Sequence, residues 1–203
     1  MAKIGIVYYS MYGTTHDLAA TIGQGVEKAG GEAHLRRVPD PLLPDEVKSS
    51  EGVSAAIDKQ AEVAEASVDE LTEFDGIIFG SPTRYGSNVA QMQNFLDQTG
   101  GLWQAGKLVG KAAGFFTGAA TTHGGHESTI LGMSTFAYHH GMVIVPVGYG
   151  VSPGVQTTQT GGGPYGPTHL TPMGHEEGLS EDEQAIALDY AAHFNAIADK
   201  LAA

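Results

Sequence analysis

Ile4-Gly5-Ile6-Val7-Tyr8-Tyr9, running directly into Ser10-Met11-Tyr12-Gly13-Thr14-Thr15, decides the fold of this 203-residue chain. The first run is wholly apolar apart from its tyrosine hydroxyls and is too short for a buried helix, so it reads as a buried strand. From His16 onward the apolar positions Leu18, Ala19, Ile22 and Val26 recur at helical spacing up to Gly30-Gly31, a C-terminal stop signal. The order is therefore strand, hydroxyl-rich turn, helix. A helix N-terminus presents unpaired backbone N–H groups and about half a positive charge, which suits an anion. Ser10, Thr14 and Thr15 add neutral hydroxyl donors, and Gly13 lets the turn bend.

The same reading extends along the chain. Ala33 to Val38 reads as a weaker strand, and Phe74 to Gly80 and Ala112 to Thr117 as central parallel strands. Met142 to Val147 reads as a fifth strand. Helices are predicted over Asn88–Gln98, Glu127–His140 and 181–201, the last opened by the capping box Ser180-Glu181-Asp182-Glu183. Two stretches fit no tight connection. Residues 39–70 open on Pro39, Pro41 and Pro44 and read as an elaborated surface loop with some helix around 53–66. Residues 148–178 are rich in Gly and Pro and carry no periodicity. The expectation is one domain over 1–203, an α/β chain with a five-stranded, doubly wound parallel sheet, helices on both faces and those two insertions. Ligands in such folds sit beyond the carboxyl ends of the strands, where the strand order reverses. That rule selects the loops 10–15, 81–88 and 117–126. A phosphate held by neutral donors, with no Lys or Arg in the turn, suits a compact monophosphate such as that of FMN. A triphosphate would want a Lys and a metal.

Composition narrows the classes. Net charge is −13, which disfavours nucleic acid and anionic membranes as partners. There is no cysteine, so disulfides, thiolate catalysis and cysteine-bound metal are excluded together. No apolar run approaches the roughly 20 residues of a membrane span. The first apolar residues read as strand rather than as a leader, so a cytoplasmic location is expected.

The segments Tyr8-Tyr9-Ser10-Met11-Tyr12-Gly13, Ile78-Phe79-Gly80-Ser81-Pro82-Thr83-Arg84-Tyr85-Gly86, Phe95-Leu96-Asp97-Gln98-Thr99-Gly100-Gly101-Leu102-Trp103 and His139-His140-Gly141-Met142-Val143-Ile144-Val145-Pro146, with the late Gly161-Gly162-Gly163-Pro164-Tyr165-Gly166, cover most of the chain in order. Together they resemble the flavodoxin-like NAD(P)H:quinone oxidoreductases of the WrbA family. The resemblance implies a flavodoxin-like fold, bound FMN and a homotetramer. It also implies two-electron reduction of quinones by NADH or NADPH, with both substrates using one face of the flavin in turn, so that no one-electron-reduced quinone is left to react with oxygen. Carried over by position, it sets the FMN phosphate on Ser10, Met11, Tyr12, Gly13, Thr14 and Thr15. It sets Pro82, Thr83, Arg84 and Tyr85 against the flavin. Thr117, Gly118, Ala119, Ala120, Thr121, Thr122 and His123 line the ring edge, and His139 reaches the flavin or its pocket. Tyr12 then meets the nicotinamide, and Trp103 walls the substrate space. His139 and Arg84 are the catalytic candidates. The loop after the fourth predicted strand is one residue longer than the family's, and Ala119 and Ala120 bring no side-chain donor.

These residue types make chemical sense by themselves. Backbone N–H groups of a Gly/Thr loop stabilise negative charge on a reduced ring without a proton change. Tyr12, Tyr85 and Trp103 offer flat faces to a nicotinamide or quinone, and His139 could hydrogen-bond a quinone oxygen or give it a proton. Plainer readings stand beside them: His139 against the last carbonyls of its helix, Arg84 paired with a surface acid, Trp103 in core or interface. A one-electron flavodoxin-type carrier that docks on protein partners is the alternative, and the acidity suits it. Three motifs fail. Gly101 to Lys107 is followed by Leu108 where a phosphate-binding P-loop needs Ser or Thr. Gly161 to Gly166 follows no strand. His123-Gly124-Gly125-His126 lacks a third metal ligand.

Overall fold

The structure is a computed structural model that describes residues 1–172 and 178–203. The chain runs β1 (Lys3–Tyr8), α1 (Thr14–Lys28), β2 (Glu32–Arg37), α2 (Asp45–Lys48), α3 (Glu51–Lys59), β3 (Gly76–Arg84), β4 (Ser87–Asn88), α4 (Ala90–Asp97), α5 (Gly100–Gln104), β5 (Ala112–Ala119), α6 (His126–His140), β6 (Val143–Ile144), β7 (Thr168–Leu170) and α7 (Glu181–Ala202). The main sheet is parallel in the order β2-β1-β3-β5-β6, the arrangement expected for a doubly wound sheet. The strand order reverses beside β1, so the β1–α1 turn lies at the switch point.

The apolar strands explain the layers. β1 and β3 are buried on both faces, and each face has its own cluster. On one side Leu18, Ile22 and Val26 of α1 pack with Ile186, Tyr190 and Phe194 of α7. On the other, Met92 and Phe95 of α4 and Ile130 and Met133 of α6 pack on Phe79 and Phe115. Each fully buried large side chain contributes about 1.5–3 kcal/mol. Gly80 has no room for a side chain because the Phe116 ring covers it.

Several expected boundaries move, and each shift bears on the site. β3 continues past Gly80 to Arg84, because Ser81 and Pro82 still pair with Thr117 and Gly118 and the chain then folds into a hairpin with β4. The predicted loop 81–88 is thus mostly strand. β5 likewise continues to Ala119, because β7 pairs in parallel with its last three residues. Gly118 and Ala119 are therefore sheet residues, not loop. β7 arises inside 148–178, where a strand of three residues is too short to leave a periodic signal. A 3₁₀ turn, Pro153–Gln156, also forms there. Residues 173–177 of that predicted loop lie outside the described residues. The fifth predicted strand keeps only Val143–Ile144 as regular ladder. The helix expected near 53–66 spans 51–59, with α2 ahead of it. Residues 39–70 are mostly exposed but are tied to the edge of the sheet. Arg37 N–H donates to Ala64 O and Ala66 N–H to Arg37 O, and the Arg36 guanidinium grips Glu70. Among the described residues no helix is long and apolar enough to cross a membrane.

Candidate active site

Three segments meet at the carboxyl edge of the sheet. In the first, Gly13 takes a left-handed conformation, φ 88°, and no side chain caps α1 behind it. Ser10 Oγ is buried without a hydrogen-bond partner. Buried polar atoms are normally satisfied, so an orphan hydroxyl beside an uncapped helix start marks a place for an acceptor from outside the chain. Thr15 is buried in the same corner and faces Gly118 across the sheet edge. His16 Nδ1 lies 2.7 Å from Tyr8 Oη. Burial lowers the His16 pKa, and Lys59 lowers it further while Asp17 opposes, so His16 is neutral near pH 7.

The second segment is the β3–β4 hairpin. Tyr85 and Gly86 both have positive φ, as the two central residues of a type I′ turn require. Tyr85 is the one positive-φ non-glycine among the described residues, and its ring is fully exposed. Backbone strain held at a fully exposed aromatic is the kind of feature that clusters at binding sites. Arg84 folds back, donating through Nη1 to Thr83 O at 2.9 Å and through Nη2 to Met11 Sδ at 3.7 Å. That contact joins the first segment to the second. The third segment begins at Thr117, whose hydroxyl donates to Ser81 O at 2.6 Å. Thr83 Oγ1 accepts from Thr129 at 2.8 Å and donates to Gly124 O at 3.4 Å. Gly125, φ 102°, would drive any Cβ into the Gly86 backbone, so the second and third segments touch through two glycines. Ala120, Thr121, Thr122 and His123 stand exposed. The N–H groups of Thr121, Thr122 and His123 meet no acceptor among the described residues.

The profile of the NADPH-dependent FMN reductase family matches residues 2–156. The chain belongs to that family. The chain is 47% identical over 201 residues to an NAD(P)H dehydrogenase (quinone) of Geobacter sulfurreducens, covering 97% of each. It is 45% identical to a protein of the same name from Trichlorobacter lovleyi, covering all of both. Among solved structures it resembles a flavodoxin, WrbA-like protein from Agrobacterium tumefaciens with a TM-score of 0.67 at 24% identity, covering 98% of this chain and 99% of that one. The fold is flavodoxin-like.

Against this reductase frame the expected site residues divide in two. Ser10, Met11, Tyr12, Gly13, Thr14, Thr15, Pro82, Thr83, Arg84, Tyr85 and Thr117 to His123 all fall on the three joined segments. Trp103 and His139 do not. They line a groove of about 380 Å³ between α4, α5 and the second half of α6, with Asp97, Thr99 and Phe136. His139 lies near the far end of α6, about 20 Å along its axis from the third segment. Trp103 is 57% exposed, so it is not core.

Two residues at the site gave no sequence signal. Gln60, buried at the end of α3, donates through Nε2 to Ser10 O at 3.2 Å and to Ala56 O at 2.8 Å. Lys59 Nζ lies 2.6 Å from Asp17 Oδ1 beside the start of α1. Both come from the 39–70 insertion, whose packing no local pattern announces.

Proposed function

We propose that the three joined segments bind FMN and that the chain is an NAD(P)H:quinone oxidoreductase reducing quinones by two electrons. The observation that carries this reading is the uncapped start of α1 with the buried, unpartnered Ser10 hydroxyl. A phosphomonoester accepts from both. Ser10, Thr14 and Thr15 would hold the phosphate, with the first N–H groups of α1. Pro82, Thr83, Arg84 and Tyr85 and the segment 117–123 would hold the ring. FMN held there would supply the hydride-accepting and two-electron-donating chemistry that links NADH or NADPH to a quinone.

The chain's own part is positional and electrostatic. The free N–H groups of Thr121, Thr122 and His123 would stabilise negative charge on a flavin ring, in a loop whose base is pinned by the β5–β7 pairing. Tyr12 and Tyr85 are both exposed, on the first and second segments, so their rings are free to meet nicotinamide and then quinone in a ping-pong order. Removing quinones two electrons at a time spares oxygen the one-electron-reduced quinone, a protective role in the cytoplasm. Trp103 on α5 and His139 near the end of α6 line a groove apart from the three segments of their own chain. They serve a neighbour's site, His139 giving a proton to the quinone oxygen, in a homotetramer.

The test is the visible spectrum of the FMN-loaded protein without oxygen. NADH removes the flavin band promptly, and benzoquinone restores it. A band that NADH leaves intact, but that dithionite removes by way of a long-lived one-electron-reduced flavin, would make the chain a one-electron carrier. For the shared site, activity per chain is followed on dilution. Full activity at concentrations where sedimentation finds only single chains would refute it.

A further inference from the structure

We infer that Lys59, on the α3 insertion, supplies the positive charge of the phosphate site, an inference that rests on the FMN reading above. The turn 10–15 contains no cation, and the chain as a whole carries −13. A phosphomonoester dianion approaching it meets a second obstacle, because Asp17 sits in the first turn of α1. Neutral donors and the helix start must overcome both charges unless a cation stands close. His16 is not that cation, since burial keeps it neutral. Arg84 is turned onto Thr83 O and Met11 Sδ.

Lys59 is placed where the charge is needed. Its stem lies over Gly13, with Cδ 3.6 Å from where a Cβ on that residue would stand. Its ammonium pairs with Asp17 at 2.6 Å. The placement is fixed by its neighbour, for the buried Gln60 amide is bonded to Ser10 O. The α3 end is thereby tied to the phosphate turn. The Lys59 side chain is 48% exposed, so its ammonium keeps the freedom to turn from Asp17 to a phosphate oxygen. Lys59 acts in two ways: it offsets the Asp17 charge beside the turn, and it adds a charge-assisted contact to a bound phosphate.

Riboflavin carries the same ring without the phosphate, so it separates charge from packing. The apoprotein is titrated with FMN and, separately, with riboflavin, following quenching of flavin fluorescence. In Lys59→Gln the FMN Kd rises about tenfold at roughly 50 mM salt, or about 1.4 kcal/mol, and riboflavin affinity stays within about twofold. The loss shrinks at about 0.5 M salt, where screening acts over roughly 4 Å. Lys59→Arg retains most of the affinity, and Asp17→Asn restores part of what Lys59→Gln loses. An unchanged FMN Kd in Lys59→Gln overturns the inference, as does an equal loss for riboflavin, which would make Lys59 a packing residue. Wild-type protein that binds neither flavin overturns the FMN reading and this inference with it.

Discussion

Glu183→Gln should destabilise the protein far more than one isosteric exchange normally does. Glu183 is 2% exposed. Its Oε1 accepts from Gly161 N–H at 2.7 Å and Leu170 N–H at 2.8 Å, and its Oε2 from Ser180 N–H at 2.9 Å and His169 Nδ1 at 2.8 Å. One carboxylate thus closes the capping box of α7, ties down β7 and fixes the 161–170 segment. In Glu183→Gln the amide oxygen can keep two of these partners. The amide NH₂ then faces the Ser180 N–H, donor against donor, at a cost of about 1–3 kcal/mol for a buried unsatisfied group. Loss of charge assistance and of the anion at the helix start adds about 1 kcal/mol. A total near 3 kcal/mol lowers Tm by about 6–12 °C for a chain of this length. The pH dependence is diagnostic. Burial pushes the Glu183 carboxyl up, but the hydrogen bonds from His169, Leu170 and Ser180 outweigh burial and hold it below its ordinary value. Its stabilisation is therefore complete above the unfolded pKa of about 4.3 and is lost as pH falls through the lower folded value. Thermal unfolding followed by far-UV circular dichroism should show the widest gap between wild type and Glu183→Gln near pH 7, closing toward pH 3. A Tm within about 2 °C of wild type at neutral pH, or a gap that stays constant into acid, would refute the reasoning.

Ser10→Ala should reverse its sign with cofactor. It removes a buried orphan hydroxyl and so stabilises the apoprotein by up to about 1 kcal/mol in urea unfolding, yet it weakens FMN binding about tenfold by fluorescence titration. Tyr85→Gly should relieve about 1 kcal/mol of backbone strain at φ 53° and raise Tm, while steady-state kinetics show a higher KM for NADH or quinone. Gly80→Ala should cost about 1–3 kcal/mol, read as a lower urea midpoint, because its Cβ would strike the buried Phe116 ring. His126, buried with both ring nitrogens unpartnered, has a pKa lowered by burial, so it resists charging in the folded state. Wild-type stability should then decline as pH drops below about 6.5, and His126→Gln should flatten that decline in the same unfolding assay.

What could be read from the chain alone, and what could not, divides on physical grounds. The β1–α1 turn was legible because strand, hydroxyl turn and helix are written in consecutive residues. So was the α7 start, where Ser180 and Glu183 stand three apart and both halves of the box form. The second function of Glu183 was invisible, because His169 and Gly161 reach it through the folding of a loop without periodicity. The same holds for β7, for the extension of β5 to Ala119, and for Lys59 and Gln60 against Gly13 and Ser10. Each depends on a long-range contact whose residues carry no pattern of their own. His139 is a different case, because a single chain does not contain what it would act on. The resemblance gives His139 to the flavin or its pocket, and α6 carries it about 20 Å from the third segment of its own chain. A helix starting at the site and running back along the sheet must end at the opposite edge. On the proposed function, His139 and Trp103 act on the reaction only if another copy presents that edge to the three segments. The exposure of the Tyr12, Tyr85 and Trp103 rings is what such an arrangement requires.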